Sequence, residues 1–171
     1  MNMLITKNRF VLAFDPSGNY NEGKGTTGWC LYDTATSRIA KFGVIKASKY
    51  ESLMDYWNAH IKLIDDLSGY AITVVIEDYL LYSNKAESQI SSRFETPKLI
   101  GMLQYELYLR GIKVVFQTAS LVKTRWADHI LVHKGLIKEQ DGGYYIGEIR
   151  LSDHSRDAIR HAIHYATFRK D

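Results

Sequence analysis

Two carboxylates stand where apolar strands end. Asp15 closes the run "RFVLAFD" and Glu77 closes "AITVVIE". In sheets covered by helices, ligand crevices open at the carboxyl ends of parallel strands, so neighbouring strands would bring these two acids together. Near the C-terminus, "DHSRDAIRHAIHYA" places His154, Asp157 and His161 at i, i+3 and i+7, and the start of such a helix can aim His154 and Asp157 at the same crevice. The chemistry open to Asp15, Glu77, His154 and Asp157 is the binding of a pair of divalent cations. Mg²⁺ wants hard oxygen ligands and keeps positions for water and phosphate oxygens. Two such ions about 4 Å apart can activate a water and stabilise the leaving oxygen of a phosphodiester. An imidazole in the set makes Mn²⁺ a well-tolerated substitute.

Taken singly, each residue has a plainer role. Asp15-Pro16-Ser17-Gly18 is good turn chemistry. Glu77-Asp78 can mark a strand reaching solvent, Asp153 serves as a helix cap favoured by the macrodipole, and His154 and His161 fit a surface. Coincidence favours the site: strand-end acids on two separate apolar strands, then an acid-histidine pair opening a small-residue helix, in chain order.

The elements that must position these residues follow from periodicity. Residues 9–14, 29–33 and 39–45 are expected as an antiparallel meander. Leu53, Trp57, Ile61, Ile64 and Leu67 recur at helical spacing with one buried face, and Gly69 ends that helix. The β-branched run 71–77 is a central strand. After the polar stretch 83–95, Thr96 can cap and Pro97 can open a helix over 97–110. "KVVFQ" is a short buried strand, "SLVKTRWADHIL" one helix with a serine cap, and "DGG" within 138–150 a hairpin or flap. In the last helix Ala158, Ile159, Ala162, Ile163 and Ala166 supply the sheet-packing face. The order β-β-β-α-β-α-β-α-α predicts a mixed α/β sheet with helices on its faces, in a single domain over 1–171.

Composition sets bounds. At 171 residues, 46% hydrophobic and 24% charged, the chain suits one folded domain. A net charge of +3 permits a polyanionic partner without demanding one. The lone Cys30 excludes an internal disulfide and fits a reduced, cytoplasmic setting. No apolar run has the roughly 20 residues of a membrane span.

On three stretches the chain resembles the RuvC-like Holliday junction resolvases of the RNase H-like superfamily, especially the compact versions carried by bacteriophages. "AFDPSGNYNEGKGTTGW" holds the first acid with the glycine and aromatic strand that follow, "VVIEDYLLY" the second, and "DHSRDAIRHAIHYA" the terminal acidic helix. Between them, "TPKLIGMLQYELYLRGIKVVFQTASLVKTRW" looks like the middle helix, the next strand and a lysine-bearing turn. The resemblance implies a five-stranded mixed sheet and assigns Asp15, Glu77 and Asp157 as metal ligands. His154 takes the place three residues before the last acid, where relatives carry Asp or His, and the adjacent Asp153 competes for it. It further implies metal-dependent nicking of four-way DNA junctions by a homodimer in a bacterial cell or phage-infected host, in DNA recombination and repair.

Lys24, Arg93, Lys98, Lys123 and Arg125 are candidate phosphate contacts, lying in loops and helix starts around the crevice. Tyr79, Tyr82 and Phe94 are candidates to stack on bases opened at the junction centre, or else form a lid on the core. Met102, Tyr105 or Leu109 is left free for a partner helix. The rival readings are an RNA-processing nuclease with the same acids, an actin-like phosphotransferase suggested by "GKGTTGW", and a non-catalytic junction-binding protein.

Overall fold

Strand β1 (Phe10–Asp15) carries four consecutive residues, Val11 to Phe14, with no exposed surface. That is possible only where both faces of a sheet are covered. A computed structural model describes residues 8–80, 87 and 93–169. In it, β1 lies at the centre of a five-stranded sheet of order β3-β2-β1-β4-β5, with β2 spanning Thr26–Asp33, β3 Arg38–Lys46, β4 Ile72–Glu77 and β5 Val114–Gln117. β1, β2 and β3 form the antiparallel meander, while β4 and β5 run parallel to β1. This is the mixed sheet expected of an RNase H-like fold.

Strand alternation divides the core in two. On one face Leu12, Phe14, Val74 and Ile76 pack with α1 (Leu53–Asp66) and α2 (Glu95–Leu109) through Tyr56, Ile64, Leu99, Leu103 and Leu107. On the other, Val11, Ala13, Cys30 and Val75 pack with α3 (Ala119–Arg125), α4 (Asp128–His133) and α5 (Asp153–Phe168), where Ala158 and Ala162 give a low surface that lets α5 come close. A second, three-stranded sheet, β6 (Lys138–Gln140), β7 (Gly143–Ile146) and β8 (Ile149–Arg150), is the expected hairpin region extended by a strand. Asp141 and Gly142 both take positive φ in its first turn, as a two-residue hairpin loop requires.

The structure moves several elements from their sequence-based positions. The buried stripe of α1 is centred one residue earlier, on Tyr56, His60 and Ile64, because His60 Nε2 meets Thr27 Oγ1 at 2.8 Å and Tyr56 donates to the Ser17 carbonyl at 2.6 Å. α2 begins at Glu95 after a left-handed Phe94, and Thr96 accepts the Gly18 N–H at 2.9 Å instead of capping the helix. Along α2, Met102 packs on the core, whereas Tyr105 and Leu109 are 60% and 57% exposed. β5 is half-buried along its length, since it is an edge strand. The single helix expected from Ser120 is two, α3 and α4, with Thr118 at the first N-terminus. They separate at Trp126, whose carbonyl accepts from Arg160 Nε at 2.8 Å and whose indole N–H donates to His164 Nδ1 at 3.2 Å.

Candidate active site

Asp15 shares the face of Val11 and Ala13, and Glu77 that of Thr73 and Val75, because successive side chains on a strand alternate. Both therefore project toward α5. Parallel pairing aligns Phe14 with Ile76, so the next residues of the two strands are the two acids themselves. The third comes from α5, whose N-terminus is capped by Ser152 accepting the Ser155 N–H at 3.1 Å. Asp157 stands just over a turn inside. Gly28, paired with Asp15 across β1 and β2, sets how closely α5 approaches: a Cβ there would lie 2.0 Å from the His154 carbonyl oxygen.

The result is a cluster in which a carboxylate oxygen of each of Asp15, Glu77 and Asp157 lies within 4.8 Å of the others. Asp15 and Asp157 are buried and Glu77 half-buried. Burial raises the Asp15 carboxyl above its ordinary range, the His154 hydrogen bond works against that rise, and the charges of Glu77 and Asp157 add to it. His154 Nδ1 lies 2.6 Å from Asp15 Oδ2, and that bond lifts the imidazole above its usual value against partial burial. Lys123 Nζ enters between the other two acids, 2.8 Å from Asp157 Oδ2 and 3.5 Å from Glu77 Oε2. Burial pulls the Lys123 ammonium down, and its bond to Asp157 together with the three carboxylate charges outweighs that pull and leaves it raised.

Three converging carboxylates, largely withdrawn from water and answered by an ammonium and an imidazole, form a donor set that fits hard divalent cations. Two of the acids are also held from the side. Arg160, buried, binds Asp157 Oδ1 and Asp128 Oδ1 through its two terminal nitrogens. His161 Nε2 lies 2.9 Å from Glu77 Oε2.

No family model and no curated protein matches the sequence. Solved structures do match the fold. Thermus thermophilus RuvC in complex with a Holliday junction substrate aligns with a TM-score of 0.67 at 17% identity, over 93% of this chain and 93% of that one. A second Thermus thermophilus RuvC structure gives 0.57 at 16% identity, over 93% and 94%. The chain carries the RuvC fold.

On this RuvC fold the remaining residues singled out in the sequence take varied positions. Asp153 is not the cap: it is the first helical residue, its side chain 86% exposed and bound to Arg156, and it stays outside the cluster. Arg125 turns away from the acids, its guanidinium 4.1 Å from the ring centre of Phe168. Phe168 is eleven residues beyond Asp157 on α5, about 16 Å along its axis. Lys24 is exposed and pairs with Glu22 at 3.3 Å. Arg93, Phe94 and Lys98 lie exposed at the start of α2. That helix start abuts the loop after Asp15, since a Cβ on Gly18 would lie 2.2 Å from the Glu95 carbonyl carbon, and buried Glu95 accepts the Asn21 backbone N–H at 3.4 Å. Tyr79 packs on the core shared with α1 and α2 and is half-buried, with a buried hydroxyl that has no hydrogen-bond partner among the described residues. Tyr82 lies outside the described residues.

His161 overturns the surface position expected of it, being 0% exposed. Its spacing of four from Asp157 was the available signal. No helix among the described residues is long and apolar enough to cross a membrane.

Proposed function

We propose that the chain is a structure-selective endodeoxyribonuclease that resolves Holliday junctions and other branched DNA by hydrolysis supported by two divalent cations, Mg²⁺ or Mn²⁺. The observation that carries this reading is the convergence of Asp15, Glu77 and Asp157 within 4.8 Å at the strand ends of a RuvC fold. Asp15, Glu77 and Asp157, with His154, are the residues that would hold the ions. Bound there, the ions supply Lewis acidity at the phosphodiester and lower the pKa of a water.

The chain's own groups do the rest. Lys123, already drawn to the acids, carries the positive charge best placed to meet a phosphate oxygen. Arg93 and Lys98 form the phosphate-contacting edge beside the β1–β2 loop, with Lys24 on that loop, and Phe94 is the exposed ring available for stacking. A four-way junction has two symmetry-related scissile strands, so the working unit is a two-fold homodimer. The exposed stripe Tyr105, Tyr108 and Leu109 on α2 supports that assignment as the surface for a second copy.

The test is incubation of purified protein with labelled four-way, three-way and linear DNA, and with branched RNA, in Mg²⁺, Mn²⁺ or chelator. Cleavage of the four-way junction that needs a divalent ion and spares linear duplex is the expected result. Preference for RNA makes the protein an RNA-processing nuclease instead. Junction binding with no cleavage in either metal makes it a non-catalytic binder.

A further inference from the structure

His161 has no exposed surface and occupies a place on α5 whose neighbours facing the sheet are aliphatic: Ala158, Ile159, Ala162 and Ile163. An imidazole there is costly unless both nitrogens are satisfied. Both are: Nε2 lies 2.9 Å from Glu77 Oε2, and Nδ1 lies 2.9 Å from Gln117 Oε1. Glu77 and Gln117 are paired neighbours at the ends of β4 and β5, so the ring spans two adjacent strand ends from the helix that covers them. With a carboxylate oxygen facing it, Nε2 carries a proton and donates. Nδ1 either donates to the Gln117 oxygen, or accepts once that amide turns over, and the bond to Glu77 is the same in both cases.

We propose that His161 is a positioning residue for cation binding: it fixes Glu77 so that this longest and most rotatable of the three acids presents its carboxylate to the cluster. The inference rests on the metal-binding reading above. Asp15 starts from a rigid strand end with a short side chain, and Asp157 is clamped by Arg160. Glu77 has an additional rotatable bond, and without a donor behind it the side chain can swing toward solvent, since it is already 18% exposed. A partner of this kind behind a ligand typically contributes about 10–100-fold in metal affinity.

The experiment compares two amides that differ only in reach. His161→Gln puts an N–H near the Nε2 position and keeps the bond to Glu77. His161→Asn reaches only the Nδ1 side, toward Gln117. Mn²⁺ binding is measured on the full chain without DNA, by electron paramagnetic resonance of free ion and by calorimetry, with circular dichroism reporting the fold and Asp157→Asn as the metal-site control. Expected is Mn²⁺ affinity near the parent for His161→Gln and a loss of about 10-fold or more for His161→Asn. If His161→Asn fails to fold, His161→Leu, which preserves an apolar filling, replaces it with the same expected loss; if His161→Gln fails to fold, the parent itself stands as the bond-retaining arm. A donor-lacking His161 variant that binds Mn²⁺ as tightly as the parent, with Asp157→Asn still impaired, overturns the positioning role and leaves the metal site standing. A parent that binds Mn²⁺ no better than Asp157→Asn overturns both.

Discussion

Gly28→Ala tests whether the acids are assembled by the approach of α5 to β2. A Cβ at this position would lie 2.0 Å from the His154 carbonyl oxygen and 2.2 Å from its carbonyl carbon, whereas ordinary van der Waals contact begins near 3.4 Å. These are helix backbone atoms, so no side chain can rotate out of the way. The start of α5 has to recede by the difference, about 1.4 Å, or β2 has to shift by a comparable amount. Overpacking of this kind costs about 1–3 kcal/mol, which leaves a domain of ordinary stability folded. A displacement near 1 Å of reacting groups costs about 10²-fold in rate. The variant is therefore expected to fold, to melt at a lower temperature, and to lose about two orders of magnitude in single-turnover junction cleavage. Gly69→Ala is the control, because nothing lies within 4 Å of its added Cβ, and it should be neutral or slightly stabilising. Parent-like Mn²⁺ affinity and cleavage in a folded Gly28→Ala protein would refute the reasoning.

Asp15→Asn, Glu77→Gln and Asp157→Asn should each nearly abolish cleavage while junction binding in chelator persists; a variant that cleaves at close to the parent rate removes its residue from the site. Lys123→Gln should leave Mn²⁺ binding intact or tighter, since it withdraws a competing cation from Glu77 and Asp157, while slowing cleavage; weaker Mn²⁺ binding by calorimetry would make Lys123 an organiser of the acids instead. Burial holds the His60 imidazole down to about 4 from an ordinary 6.5, so the unfolded chain takes up the proton first as pH falls. The stability tied to neutral His60 is present above pH 6.5 and is lost as pH drops toward 4, about 3 kcal/mol over that window. Urea melts at pH 7.5 and 4.5 should show the parent losing more stability than His60→Gln, and parallel losses would count against it. Light scattering should find about twice the 19.6 kDa chain mass, with Tyr105→Glu shifting the particle toward monomer. A monomer both free and on junction DNA would exclude paired nicking.

Much of this protein is written in local patterns. The strand ends at Asp15 and Glu77 are legible because each closes a run of buried apolar side chains and stands at its edge, where an acid can project past the sheet. The sequence left open whether those two strands are neighbours, and the structure pairs them in parallel; Asp157 is placed by the small-residue face of α5 beneath it. Chain order thus pointed to a mixed α/β sheet with acids at two strand ends, while the five-stranded sheet and the ligand roles of the carboxylates came from the resemblance to RuvC-like resolvases.

What the residues cannot announce singly is how polar groups are answered at a distance. Tyr56 and His60 look polar in sequence, and become core because Thr27 and the Ser17 carbonyl, more than 30 residues away, satisfy them. His161 resembles a surface residue until Glu77 and Gln117 close on its two nitrogens. Arg125 and Lys123 are two residues apart on a short basic helix, yet one lies against Phe168 and the other among the acids, since residues at that spacing face different sides. Gly28 marks a packing distance that exists only after α5 has docked. Periodicity reports which face of an element is apolar; whether a polar side chain on that face is buried depends on a partner that folding alone brings within hydrogen-bonding reach.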